Sequence, residues 1–295
     1  MMSKEFQIDK TLYISEKKGM EVKRDGPSIW ITEDGKAGRR IPARLISHVI
    51  IVGNVKMDAG FITLFTENNV PVTFFNRKGS EVAVTIPHNH HLNSHSEEQK
   101  HLLARDENIQ RYNQWLLAER RRMQLKVVKK LSRQAASVFI SKGFREQDYK
   151  DFITRCASAG EKRWRIVKEI IRNMLNEVII KSILTADLDP HVGVFHRRDN
   201  FGFALDILHV MDPEADLQTV HFFRSDKNGE LLAMSSTGLK LSREGMRGVA
   251  LRFENKKKFT TGLVDVVIDD FFAIMRTIRS FLYDDKINPG RYLKI

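Results

Sequence analysis

Cysteine is nearly absent from this chain: Cys156 stands alone among 295 residues. One thiol excludes an internal disulfide framework and any zinc site built from several thiolates, and it suits a reducing compartment. Long apolar runs are missing as well. No stretch approaches the roughly twenty apolar residues of a membrane span, and Met1-Met2-Ser3-Lys4-Glu5 lacks the apolar core of a signal peptide. A soluble, cytoplasmic protein with no membrane contact is expected. No internal repeat is visible.

What the chain does have is positive charge. Lysine and arginine number 49 against 37 acidic residues, for a formal charge of +12. The excess is clustered at Glu119-Arg120-Arg121-Arg122, Lys126-Val127-Val128-Lys129-Lys130 and Lys256-Lys257-Lys258. Clustered cations on a basic protein point to a surface that meets a polyanion, nucleic acid first.

The texture changes along the chain. From Thr11 to Ile86, short runs rich in β-branched and aromatic residues (Leu12-Tyr13-Ile14, Ser28–Thr32, His48–Val52, Val70–Phe75, Val82–Ile86) alternate with turn signals such as Asp25-Gly26-Pro27 and Arg77-Lys78-Gly79. One helix is expected over Ala59–Glu67. Pro87–His95 is polar, aperiodic and rich in histidine, and reads as a linker whose histidine spacing follows no ligand pattern. From Glu97 to Ile140, and again from Gln147 to Ala186, apolar residues recur at helical spacing. A small hairpin is expected from Val220–Phe223 to Leu231–Met234, turned at Lys227-Asn228-Gly229, and a closing helix over Gly262–Tyr283. The fold class is therefore α+β: a small N-terminal β-rich domain (residues 1–86), a linker (87–96) and a mostly helical C-terminal domain (97–295).

Chemistry concentrates in Leu188-Asp189-Pro190-His191-Val192-Gly193-Val194-Phe195-His196, followed by Asp206 in an apolar helical stretch. A histidine and a carboxylate on neighbouring elements joined by Arg197-Arg198-Asp199-Asn200 is one way to build a divalent-metal site for phosphodiester chemistry. Taken alone, a histidine next to a turn and an aspartate in an apolar helix are more often structural. His209 lies one helical turn beyond Asp206, on the same face. Trp115 and Trp164 sit in apolar helical context and are expected in the core.

At this point the chain resembles a family. Leu188-Asp189-Pro190, Gly193 and His196 are similar to the Leu-Asp-Pro-x-x-Gly-x-x-His signature of CRISPR-associated protein one, the DNA endonuclease and integrase of spacer acquisition. Leu205-Asp206-Ile207-Leu208 resembles its second metal-ligand helix, and Arg40-Ile41-Pro42, Val49–Val55 and Glu67–Phe75 resemble its β-domain. The resemblance implies a glutamate, His196 and Asp206 around Mg2+ or Mn2+, with strand cleavage and transesterification on double-stranded or branched DNA. It also implies a homodimer through the β-domain and a small companion subunit.

Two departures bear on activity. The family glutamate falls at Ser132 in Ser132-Arg133-Gln134-Ala135-Ala136, leaving Glu146 or Glu161 to supply a carboxylate, and His209 stands where a further acidic residue is common. The candidate catalytic and metal residues are thus Glu146, His196, Asp206 and His209. The candidate DNA contacts are Arg120, Arg121, Arg122, Lys129, Lys130, Arg197 and Arg198. Three readings stay open: an active integrase, a divergent member that binds and positions DNA without efficient cleavage, and a basic nucleic-acid scaffold in which His196 and Asp206 are structural.

Overall fold

The computed structural model describes residues 10–68, 70–76, 81–85, 95–157, 159–226, 231–235 and 238–287. The chain divides into two compact units, residues 1–90 and 91–295. Most of the expected linker, its histidines from 88 to 91 included, lies outside the described residues, as do the turns at 77–79 and 227–229.

The N-terminal unit contains β1 (Lys10–Ser15), β2 (Glu21–Asp25), β3 (Ser28–Glu33), β4 (Lys36–Pro42), β5 (Ile46–Val52), β6 (Lys56–Met57), α1 (Ala59–Glu67), β7 (Val72–Phe75) and β8 (Glu81–Thr85). These make two four-stranded sheets, ordered β1-β5-β7-β8 and β4-β3-β2-β6. In the first, β5 is the central strand, parallel to both β1 and β7. Its residues Ile46–Ile51 are all buried, as a strand covered on both faces requires. Leu12 and Ile14 from that sheet, Val22 and Ile29 from the other, and Phe61, Leu64 and Phe65 of α1 share one apolar core. Asp58 caps α1 by accepting from the Phe61 amide at 2.7 Å.

The second unit is helical, with α2 (Ser96–Leu102), α3 (Asp106–Leu131), α4 (Arg133–Lys142), α5 (Glu146–Cys156), α6 (Glu161–Thr185), α7 (Gly202–Ser225) and α8 (Arg243–Ile287), plus one hairpin of β9 (Leu232–Ser235) and β10 (Gly238–Leu241). Helix α7 is buried almost all round, and α3, α6 and α8 each pack against it. The aromatic rings of Tyr112, Trp115, Phe203 and Phe271 cluster among these helices, and Trp164 stacks on Phe223, so both tryptophans pack against helix neighbours.

Three expectations are corrected. Val220–Phe223 belongs to the end of α7, and the hairpin forms from β9 and β10 alone, because the apolar run that looked like a strand fills a helix wrapped on all sides. The single helical run over 97–140 is cut by the Leu103–Arg105 turn and at Ser132, whose hydroxyl accepts from the Ala135 amide at 3.2 Å and caps α4. Helix α8 begins at Arg243, well ahead of Gly262.

Candidate functional site

The Leu188–His196 stretch is a chain of turns sewn onto the first turn of α7. Gln99 of α2 grips Asp189 by its backbone, donating from Nε2 to the carbonyl at 3.0 Å and accepting from the amide at 2.6 Å. The Ser96 hydroxyl donates to the Asp189 carboxylate, which also accepts from the His191 amide. The Pro190 carbonyl accepts from the Phe203 and Ala204 amides, supplying the cap that α7 lacks from any side chain. Phe201, just before the helix, holds a left-handed backbone (φ 59°), its ring against His191. Asp189 and Pro190 of the signature are thus positioning residues.

Gly193 has a steric reason. A Cβ built there would lie 2.3 Å from the Gly202 carbonyl carbon. The two glycines let the turn and the helix touch backbone to backbone, which brings the 194–196 amides onto α7. Gly193→Ala is expected to cost about 1 to 3 kcal/mol by overpacking, read as a fall in the urea midpoint with an unchanged m value.

Asp206 is where those amides converge. It is fully buried, and its Oδ2 accepts from the Tyr112 hydroxyl (2.9 Å), the Val194 amide (2.8 Å) and the Phe195 amide (3.1 Å). Its Oδ1 accepts from the His196 amide (2.9 Å) and from His196 Nδ1 (2.7 Å). Five donors leave no outward lone pair. In this arrangement Asp206, expected as a metal ligand, anchors the turn and fixes the His196 ring, which donates Nδ1–H inward to it. Burial and the negative charge beside it push the Tyr112 hydroxyl far above its ordinary value.

His209 lies one turn further along α7. Its ring stacks on Phe195, whose side chain is 50% exposed, and its centroid is 6.4 Å from that of His196. Burial, then the charges of Arg120 and His196, hold His209 below its ordinary value, which leaves a neutral imidazole at pH 7.

Arg120 stands beside this pair. It is 9% exposed, and its guanidinium donates to the His209 carbonyl, to Glu146 Oε1 at 2.8 Å and to Glu146 Oε2 at 3.4 Å, with Asp212 at 4.0 Å. Gln124 donates to Glu146 Oε2 at 2.6 Å. Burial pushes the Glu146 carboxyl up, but the Arg120 and Gln124 hydrogen bonds outweigh it and hold the group below its ordinary value. Asp212 is taken by Lys168 (2.9 Å) and Arg172 (3.0 Å). Arg120, expected as a phosphate contact, is a buried guanidinium committed to protein acceptors in this arrangement.

The structure places the His196 and His209 rings side by side, Glu146 on the Arg120 guanidinium that also binds the His209 carbonyl, and Ser132 at the cap of α4. Among the described residues no three His, Cys, Asp or Glu side chains lie close enough to hold one metal ion. The donor set does not fit a divalent ion in this arrangement: Asp206 is saturated, Glu146 is bound to a guanidinium, and two imidazoles remain. Of the expected DNA contacts, Arg121, Lys129, Lys130, Arg197 and Arg198 are exposed, while Arg122 is paired with Glu119 and Asp270.

Behind the site, Asp216 accepts from the Tyr149 hydroxyl at 3.1 Å and pairs with Lys168 at 2.7 Å. Burial pushes it up to about 6, against the pull of Lys168. The unfolded chain loses this proton first as pH rises, so the folded state loses relative stability between about pH 4 and pH 6. Asp216→Asn removes that component. The stability of the variant relative to wild type is expected to rise by about 3 kcal/mol across this window, measured by urea unfolding at several pH values.

A sequence profile described as CRISPR associated protein Cas1 matches residues 12–167, more than half of the chain, and ends ahead of His196. No curated protein sequence gives a significant match. Among solved structures, a CAS1 protein from Thermotoga maritima is 17% identical with a TM-score of 0.73, covering 90% of this chain and 97% of that one. A casposase bound to integration product is 15% identical with a TM-score of 0.64, covering 83% of this chain and 82% of the casposase. A chain of a Cas6-RT-Cas1–Cas2 complex is 13% identical with a TM-score of 0.67, covering 92% of this chain and 35% of that one. These likenesses are of fold, and with the profile match they leave one assignment: the chain belongs to the CRISPR associated protein Cas1 family.

Proposed function

We propose that this chain binds and positions DNA in CRISPR adaptation without running efficient strand cleavage itself. The observation that carries the reading is Arg120. Its guanidinium lies among Glu146, Asp212 and the His209 carbonyl and supplies there the positive charge that a divalent ion would otherwise bring. Arg121, Arg197, Arg198, Lys129 and Lys130 supply phosphate contacts on the outside. The β-rich unit supplies the homodimer face, and a small companion subunit completes the assembly; the Cas1–Cas2 complex among the structures of like fold supports that partner.

A second reading has its own support. Asp206 holds the His196 ring by Nδ1, the His209 ring lies beside it, and Glu146 shares the Arg120 guanidinium with the His209 carbonyl, so a shift of Arg120 would free a carboxylate next to the two imidazoles. Such a set suits Mn2+ better than Mg2+ and would make the chain an integrase with a relocated glutamate.

Branched DNA separates the two. The expected result is binding without cleaved or joined products in Mg2+ or Mn2+. Between 50 and 200 mM salt, affinity should fall about 10²- to 10³-fold for some five phosphate contacts. Products that vanish in both His196→Ala and Glu146→Ala would establish the second reading, and affinity indifferent to salt would remove the basic-face argument.

A further inference from the structure

Away from the His196 turn, the C-terminal half of α3 forms one wall of a cleft of about 470 Å³, closed on the other side by α7 and α8. Lys126, Lys129 and Lys130 line it from one face of α3, with Arg133 at the start of α4 beside them, and all four are exposed. Facing them is Phe259 of α8, an aromatic ring left 51% exposed. The Lys130 ammonium rests 4.3 Å from the centroid of that ring. The floor is Glu214 of α7, 1% exposed. Its Oε1 accepts from Gln218 at 3.2 Å, while the Lys130 ammonium stands 3.9 Å from Oε2, beyond hydrogen-bond length. Positive charge continues past the cleft: after burial, Lys256, Arg224, Arg252 and Lys130 hold His221 below its ordinary value.

An exposed ring in a cationic groove is how proteins hold single strands, because bases stack on the ring while lysine and arginine follow the phosphates. A buried carboxylate in the same cleft adds selection, since it can only accept. It suits the exocyclic amino group of cytosine, adenine or guanine better than thymine, whose one N3–H donor is flanked by two carbonyl oxygens that the carboxylate repels. We propose that this cleft is a nucleotide subsite for single-stranded DNA, in which an amine-bearing base stacks on Phe259 and donates to Glu214 Oε2. Lys126, Lys129 and Arg133 hold the flanking phosphates, and Lys130 swings from the ring to the backbone. The inference rests on the DNA-binding reading above and adds to it the strand state and the base class.

The test is fluorescence anisotropy of the full chain with labelled oligo-dC, oligo-dT and a duplex. Wild type should bind oligo-dC more tightly than oligo-dT. Phe259→Ala should weaken oligo-dC binding on the order of tenfold and leave the duplex unchanged. Phe259→Leu, which keeps apolar bulk without a ring, should behave like the alanine variant and guard against a folding artefact. Glu214→Gln, which offers either an oxygen or an amide N–H, should erase the dC preference while retaining affinity. Oligo-dC affinity unchanged in both Phe259 variants would overturn the subsite, and equal wild-type affinity for dC and dT would overturn the role of Glu214. Duplex binding that persists in either case leaves the DNA-positioning reading standing; a wild type that binds no DNA removes both.

Discussion

Replacing Asp206 with alanine is expected to lower the melting temperature of the helical unit by roughly 10 to 15 °C. The carboxylate is fully buried and accepts five hydrogen bonds, so its removal strands three backbone N–H groups, the Tyr112 hydroxyl and His196 Nδ1. Breaking one side of a buried charged network typically costs about 3 to 5 kcal/mol, and for a unit of this size each kcal/mol moves the midpoint by about 2 to 4 °C. Asp206→Asn should be nearly as damaging, because its NH2 would face amides. His196→Ala deletes only the side-chain bond and should cost about 1.5 kcal/mol or less. Calorimetry on the three variants decides the matter. A ligand on an open surface would give the opposite ranking, with Asp206→Asn nearly silent.

Arg120→Ala is expected to cost about 3 kcal/mol, at the low end for a broken buried pair because Glu146 is half-exposed and can be rehydrated. The loss should be smaller than additive with Glu146→Ala, with a coupling energy of about 0.5 to 3 kcal/mol in the double-mutant cycle. The larger effect concerns cations. With the guanidinium gone, the Glu146 carboxylate loses its cation beside His209, so Mn2+ at about 100 times its dissociation constant should raise the melting temperature of Arg120→Ala by roughly 5 to 10 °C. Wild type should show no such rise. A wild-type rise equal to that of the variant would mean that Arg120 does not compete with a cation, and would favour the integrase reading.

Those outcomes turn on features unequally visible in the sequence. The buried strands announced themselves because β5 and β7 are runs of β-branched and aromatic residues. Strands β2 and β4 did not, since Glu-Val-Lys-Arg-Asp and Lys-Ala-Gly-Arg-Arg-Ile-Pro are exposed along most of their length, and their pairing comes from the β2–β3–β4 meander rather than from apolar alternation. Val220–Phe223 misled because a helix buried all round has no polar face to mark its period. At the site, the contacts that set the roles of the Leu188–His196 residues are long-range. Gln99 meets Asp189, Tyr112 meets Asp206, and Arg120 leaves a run of basic residues to pair inside the protein. A charge run shows where cations are plentiful, and only packing shows which one has been turned inward. The exposed ring of Phe259 facing buried Glu214 had no sequence signal at all, since the two lie on separate helices.

The register of β1 with β5 carries a consequence for biosynthesis. Lys10 pairs with Ile46 and Ser15 with Val52, and β5 in turn pairs with β7, so β1 is synthesised well before the strands that complete its sheet. Until Phe75 has emerged, Leu12 and Ile14 travel without the sheet that covers them. Parallel pairings of this span close slowly, which makes the nascent N-terminal unit a natural client for chaperones and the stage at which production of the protein is most easily lost to aggregation.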